Sequence, residues 1–275
     1  MRNVFAFLVA FLGMLVAGAS AYAQSGLPPD NAPKVQAQFV PEQSEVRPGE
    51  TVTVALHKVI REGWHTYWLN PGDSGAPTFI EWALPEGWST GDIQWPYPMR
   101  LPIGPLMNYG YEHEVALLVD VTVPADATPG ETLTFPTDVG WLVCADVCIP
   151  EDATVDLSLT ISETPAPPSS DTEQFFVEAR SKLPLNASFT SRFDADDARF
   201  ALRMETDAFV AAPPRDAVFY PYTDGIVEPP AAQNLRIVQN GLVLETAAGW
   251  EISDPEKRPG FEDVSGVLVL TSAGG

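Results

Sequence analysis

Between Ala153 and Ile161 every second residue is apolar: Val155, Leu157, Leu159 and Ile161 alternate with Thr154, Asp156, Ser158 and Thr160. A period of two belongs to an extended strand with one buried and one wet face, and it excludes a helix, whose apolar stripe repeats every 3.6 residues. Residues 51–58 carry the same signature, with Val52, Val54 and Leu56 on the inner face. Stretches 36–40, 65–69, 78–84, 115–123 and 132–134 are further short strands, and the chain's 27 prolines and 20 glycines are spread between them as turn residues. An antiparallel sandwich of immunoglobulin-like type is the architecture such a series builds.

Residues 163–170 are proline-rich and poor in apolar side chains, the composition of a linker. After them Ser170 and Glu173 have capping-box spacing, and Phe175, Phe176, Ala179 and Leu183 form the stripe of a short helix. Strands then resume: 235–239 and 242–246 flank Asn240-Gly241, a strong hairpin signal, and 266–271 could close the sheet. The expected fold is all-β. It comprises an immunoglobulin-like antiparallel β-sandwich over 27–162, a linker over 163–170, and a second, smaller β-rich domain with one short helix over 171–275.

Residues 1–23 hold one basic residue, Arg2, an apolar run from Val4 to Val16, and the small-residue ending Ala21-Tyr22-Ala23. This is the form of a secretory signal with cleavage before Gln24, and it places the mature chain in a bacterial periplasm. No later stretch approaches the roughly 20 apolar residues of a membrane span. A formal net charge of −22 argues against nucleic acid and anionic lipid as partners, since both are bound by basic surfaces.

Cys144 and Cys148 are the only cysteines, four residues apart. In an exported chain a close pair points to disulfide chemistry. Its Cα atoms must come within about 7 Å, whereas four extended residues span roughly 13 Å. Ala145, Asp146 and Val147 must therefore turn, and a turn at a sheet end is open to a partner thiolate. Closing so short a loop removes only about 2 kcal/mol of chain entropy, a weak staple for a chain long enough to bury its own core. Structural bridge and redox pair both remain open at this level. Asp146, between the cysteines, disfavours a thiolate. Zinc could use both cysteines with two of His57, His65 and His113, but a structural site wants four ligands, there is no second cysteine pair, and His57 falls on the wet face of its strand. Copper held by the two sulfurs with a histidine or Met107 is an alternative. Residues 72–77 read Gly-Asp-Ser-Gly-Ala-Pro and mimic a serine-protease nucleophile, yet too little chain precedes Ser74 to build such an enzyme, and the composition is that of a surface turn. Tyr109-Gly110-Tyr111 has the look of a loop tip or an ordinary aromatic turn.

Four segments carry a family resemblance. They are the run from Gly63 to Gly75 (Gly-Trp-His-Thr-Tyr-Trp-Leu-Asn-Pro-Gly-Asp-Ser-Gly), Ile93-Gln-Trp-Pro96, the run from Gly104 to Glu112 (Gly-Pro-Leu-Met-Asn-Tyr-Gly-Tyr-Glu), and the run from Trp141 to Glu151 around the cysteines. In this order they resemble the periplasmic N-terminal region of the DsbD/ScsB thiol:disulfide interchange proteins, the ScsB-like branch more closely. The resemblance implies an immunoglobulin-like domain that exchanges disulfides through Cys144 and Cys148, with no cofactor or metal. It implies a cap loop over the pair at Asn108, Tyr109, Gly110 and Tyr111, and it leaves His65, Tyr67 and Asp146 as supporting residues. Electrons would come from a DsbD/ScsB-type membrane donor or a thioredoxin-like domain, neither of which is in this chain. They would pass to periplasmic thioredoxin-like or disulfide isomerase proteins, in the ScsB branch to a partner linked to copper tolerance. Two departures stand out: the cysteines are closer together than in DsbD, and Leu106-Met107 replaces acidic residues beside the cap. The alternative is a non-catalytic β-sandwich that binds a partner or copper and keeps a structural disulfide.

The loop-closure argument yields a first prediction. Replacing both cysteines by serine should lower the unfolding free energy by at most about 2 kcal/mol and leave a folded chain, as read by urea denaturation. Failure to fold would make the pair a staple.

Overall fold

The computed structural model describes residues 32–186, 190–206, 209 and 212–272; the expected signal sequence lies outside them. In chain order the first strands are β1 (Val35–Pro41), β2 (Glu45–Val46), β3 (Thr51–Ile60), β4 (His65–Gly72), β5 (Phe79–Glu81), β6 (Ser89–Thr90), β7 (Met99–Ile103), β8 (Leu106–Glu112), β9 (Glu114–Thr122), β10 (Thr132–Cys144) and β11 (Cys148–Ile161). A helix, α1 (Ser170–Ser181), follows. Then come β12 (Thr190–Ala195), β13 (Arg199–Glu205), β14 (Asp216–Pro221), β15 (Asn234–Val238), β16 (Gly241–Ala247) and β17 (Gly266–Thr271). Among the described residues no helix is long and apolar enough to cross a membrane.

A sheet of order β1-β3-β9-β6 packs on one of order β2-β11-β10-β4-β8-β7, with β5 added to β10. Pairings are antiparallel except for β2 with β11. Leu56 and Leu117 of the first sheet meet Trp68, Val139, Trp141 and Val143 of the second in one apolar core, and Val52, Val54, Val121, Phe135, Leu157 and Leu159 fill the other end. This is the expected immunoglobulin-like antiparallel sandwich. The alternation read over 51–58 and 153–161 follows from one face of β3 and of β11 meeting this core.

β7 and β8 escaped the sequence reading. They form a hairpin turning at Gly104 and Pro105, with Ile103 opposite Leu106. β8 sits between β4 and β7 and buries both faces, so Asn108, Tyr109, Gly110 and Tyr111 are buried in succession and no alternation appears. The helix is capped by Ser169, one residue before the expected Ser170; its hydroxyl accepts the Thr172 N–H. α1 lays Phe176 and Ala179 on Ala55 and Leu118, covering the outer face of β3 and β9 in the first sandwich.

The later strands form a sheet of order β12-β13-β16-β15 and a ribbon of β14 with β17, around Phe200, Met204, Phe219, Leu242 and Leu244. The β15–β16 turn is Gln239-Asn240, with Val238 opposite Gly241, one residue earlier than Asn240-Gly241. Tyr220 and Val267 of the ribbon join the core of the first sandwich. From Pro33 onward the described residues cluster as one compact unit.

The alternation of β3 also carries Lys58 inward, where it is fully buried. Its Nζ donates to Thr78 Oγ1 at 2.5 Å and Thr66 Oγ1 at 3.3 Å, and lies 5.7 Å from the centroid of the Trp141 ring. Two hydroxyls and a ring face do not replace a carboxylate, and burial pushes the amine down to about 7. Unfolded, a lysine holds its proton up to about 10.5. Between those limits the unfolded chain binds more protons than the folded one, so stability rises with pH through this window; below it both states are protonated and the penalty is complete. Lys58→Met should abolish the linkage. The variant's stability advantage should shrink, as pH rises above about 7, by up to ~1.4 kcal/mol per pH unit. Urea unfolding of both proteins at several pH values measures this, and a pH-independent difference would overturn it.

Candidate functional site

β10 and β11 pair without a break from Thr132 opposite Thr160 to Cys144 opposite Cys148. At that end the two sulfurs are bonded, with Cα atoms 4.1 Å apart. Ala145, Asp146 and Val147 form the loop, closed by a hydrogen bond of 3.0 Å from the Ala145 N–H to the Val147 carbonyl. The turn demanded by the cysteine spacing is thus a hairpin tip. Both strands run well beyond the expected 132–134 and 153–161, through Pro136, Gly140 and Pro150, residues that read as interruptions.

The two sulfurs are not equivalent. Cys144 is only 2 % exposed, whereas Cys148 is exposed, beside Asp146 and a Val147 that is 61 % exposed. Across the sheet His65 of β4 stands opposite Cys144. The Tyr67 hydroxyl lies 3.7 Å from Cys148 Sγ, 3.3 Å from His65 Nε2 and 3.5 Å from Asn108 Nδ2. Asn108 accepts the Ser74 hydroxyl on Oδ1 at 3.0 Å, which directs its NH2 group to Tyr67. With the proton of a neutral His65 on Nε2, the phenol oxygen accepts two hydrogen bonds and its own proton points at sulfur. Burial pushes the Tyr67 phenol up, so it keeps its proton at neutral pH. Burial lowers His65, opposed by the charge of Glu112, so the imidazole is neutral there. The arrangement can therefore donate a hydrogen bond to a thiolate on Cys148.

Two glycines make this possible. A Cβ on Gly75, at φ +114°, would stand 2.2 Å from a Tyr67 ring carbon, and one on Gly110 would stand 2.0 Å from the Thr66 carbonyl oxygen. Gly110 serves close packing of β8 on β4.

The structure brings together Cys144, Cys148, His65, Tyr67 and Asn108, and sets Asp146 at the exposed tip. Asn108, Tyr109, Gly110 and Tyr111 are strand, not loop. The Tyr109 ring is fully buried and meets the edge of Tyr220 at 5.0 Å, and the Tyr111 hydroxyl donates to the Pro96 carbonyl at 2.7 Å. His57, expected on a wet face, lies under α1 against Phe175 and 3.2 Å from Glu114. Sequence reasoning missed Ser74 as part of the site. Its signal was the Gly-Asp-Ser-Gly run, read as a surface turn. It also missed Glu151, whose carboxylate accepts the Trp141 indole N–H and the backbone N–H groups of Lys34 and Val35, tying the start of β1 beside the hairpin.

The central hairpin ends on a disulfide between one buried and one exposed cysteine, and a family match supports a thiol–disulfide exchange domain. Residues 36–160 match the family model described as thiol:disulfide interchange protein DsbD, N-terminal, which supports a DsbD N-terminal-like domain over that part of the chain. Among solved structures the chain is similar to the N-terminal periplasmic domain of ScsB from Proteus mirabilis, at 18% identity and a TM-score of 0.60, covering 90% of this chain and 92% of that one. That match extends the shared fold past residue 160 into the second β-rich region. Weaker matches are a protein of unknown function from Porphyromonas gingivalis W83 (12% identity, 87% and 99% covered, TM-score 0.27) and the sporulation control protein Spo0M from Bacillus subtilis (10% identity, 88% and 92% covered, TM-score 0.25). Comparison with curated protein sequences gives no significant match.

The unequal burial predicts an order of reaction. After reduction, iodoacetamide should label Cys148 at least about tenfold faster than Cys144, as followed by mass spectrometry of the two sites. Equal rates, or Cys144 first, would contradict the asymmetry.

Proposed function

We propose that this chain is a periplasmic electron-passing module whose Cys144/Cys148 pair reduces partner disulfides. The observation that carries the reading is the asymmetry at the hairpin tip: Cys144 is buried, and Cys148 is an exposed residue with a protonated phenol beside its sulfur. In the reduced chain the Cys148 thiolate attacks one sulfur of a partner disulfide, and the partner's other sulfur leaves as a thiolate and takes up a proton. Cys144 gives up its proton and attacks Cys148 Sγ, the mixed disulfide breaks, and the second partner sulfur leaves. Two electrons have moved, and the chain holds the Cys144–Cys148 disulfide again.

Tyr67 donates a hydrogen bond to Cys148 while its sulfur is anionic, and His65 and Asn108 hold Tyr67 in place. Asp146, at the tip, works against thiolate formation, which suits a pair switched on by a partner's approach. Reduction of the chain needs a donor, a DsbD/ScsB-type membrane protein or a thioredoxin-like domain; the recipients are periplasmic thioredoxin-like or disulfide isomerase proteins. The likeness to the periplasmic domain of ScsB and the signal-like residues 1–23 support this location. The organisation we propose with it is a redox domain over 27–162, a linker over 163–170 and a second β-rich domain over 171–275.

Single-cysteine variants test the proposal. Cys144→Ser removes the resolving sulfur and should accumulate a mixed disulfide through Cys148 with an oxidised thioredoxin-like protein, seen as a reducible band on a denaturing gel. Cys148→Ser should accumulate little. No adduct with Cys144→Ser, or a reversed pattern, would sink the reading.

A further inference from the structure

The second β-rich region grips the first sandwich beside the redox hairpin. Tyr220 of β14 meets Tyr109 edge-on at 5.0 Å and Trp68 at 6.1 Å, and Tyr222 lies 5.5 Å from Trp68. Arg100 of β7 donates to the carbonyls of Pro229 at 2.7 Å and Ala231 at 3.1 Å. The two gripped strands at its centre, β4 and β8, also carry Tyr67 and Asn108.

One polar side chain at this junction faces both ways. Asn70, buried at the end of β4, donates through Nδ2 to the carbonyls of Pro221 at 2.8 Å and Thr223 at 3.4 Å. Its Oδ1 accepts the Gly72 N–H at 3.0 Å, which fixes the start of the Gly72–Gly75 turn. Met107 of β8 ties down the next residue, its N–H reaching Asp73 Oδ2 at 2.7 Å and its carbonyl accepting the Asp73 N–H at 3.1 Å. Ser74 then reaches Asn108, Asn108 reaches Tyr67, and Tyr67 reaches Cys148 Sγ. Every link from the Pro221 carbonyl to the exposed sulfur is a hydrogen bond or one to two residues of a tight turn. The contacts to Tyr67 are long, 3.3 to 3.7 Å, so a small displacement of the turn decides whether they persist.

We propose that Asn70 is a positioning residue through which the second β-rich region holds the Tyr67 hydroxyl on Cys148 and so sets the reactivity of that sulfur. The proposal rests on the redox reading of the pair and gives the second region a part in it. Asn70 touches neither sulfur; it acts through the Gly72–Gly75 turn. The Gly-Asp-Ser-Gly run, which resembled a hydrolase nucleophile, is on this account the coupling between the two regions.

The test is a double-mutant cycle on the reduced full chain, with iodoacetamide as the probe and Cys148 labelling followed against pH. Tyr67→Phe should slow labelling near pH 7 about fivefold, one hydrogen bond's worth, by moving the pH midpoint up. Asn70→Leu should slow it in the same direction by up to that factor, and should change nothing further in a Tyr67→Phe background. A merely structural role for Asn70 would slow or speed labelling equally in both backgrounds, and that result overturns the proposal, as does a native pH profile for Asn70→Leu. Should Asn70→Leu fail to fold, Ser74→Ala cuts the same chain one step nearer the phenol and faces the same cycle. Failure of the redox reading shows differently: the reduced native chain would not exchange with oxidised glutathione. If exchange is intact but Tyr67→Phe labels at the native rate, the coupling proposal alone falls.

Discussion

Thirteen consecutive cross-strand pairs between β10 and β11 place Cys144 opposite Cys148. Because a strand's faces alternate, a slip of one residue would turn the whole set of core side chains to solvent, so Phe135, Val139, Trp141 and Val143 in β10 and Leu157 and Leu159 in β11 lock the register by their burial. The chemistry at the tip is thus specified by apolar contacts along the length of the hairpin. A disulfide this short in sequence adds little to stability; the sandwich holds the sulfurs, not the reverse.

The second constraint is how polar groups are accommodated inside this frame. Glu151 is satisfied by three N–H donors, and Asn108 uses both ends of its amide, so both rigidify the hairpin's surroundings. Lys58 is the exception. An amine under the Trp141 ring with only hydroxyl partners is tolerated by shedding its proton, which makes the core of the first sandwich sensitive to pH at a distance from the exposed acidic surface.

What could be read from the sequence follows from where each strand lies. β3, β9 and the later part of β11 alternate because one face meets the core, and they were legible; Lys58 was a continuation of the same alternation that a charged side chain made easy to overlook. β8 has no wet face, and β7 contains Pro102 next to a Gly104-Pro105 turn, so nothing local separates this hairpin from a loop. The helix was legible from its stripe, but its partner was not, since Ala55 and Leu118 become an apolar outer face only once β3 and β9 pair. At the site, the cysteine spacing alone demanded a turn, and the family motif pointed to His65, Tyr67 and Asn108. Tyr109 could not be placed: an aromatic next to a glycine looks the same whether it covers a sulfur or, as here, meets Tyr220 from a strand more than a hundred residues away.

Because Cys144 and Cys148 face one another in a continuous ladder, breaking their bond need not let them drift apart. The ladder would hold the reduced thiols at a high mutual effective concentration, so that in the proposed exchange Cys144 would already be in range of a mixed disulfide on Cys148. In the exchange function proposed above, the same ladder would make resolution of a mixed disulfide an intramolecular step whichever partner supplies the other sulfur.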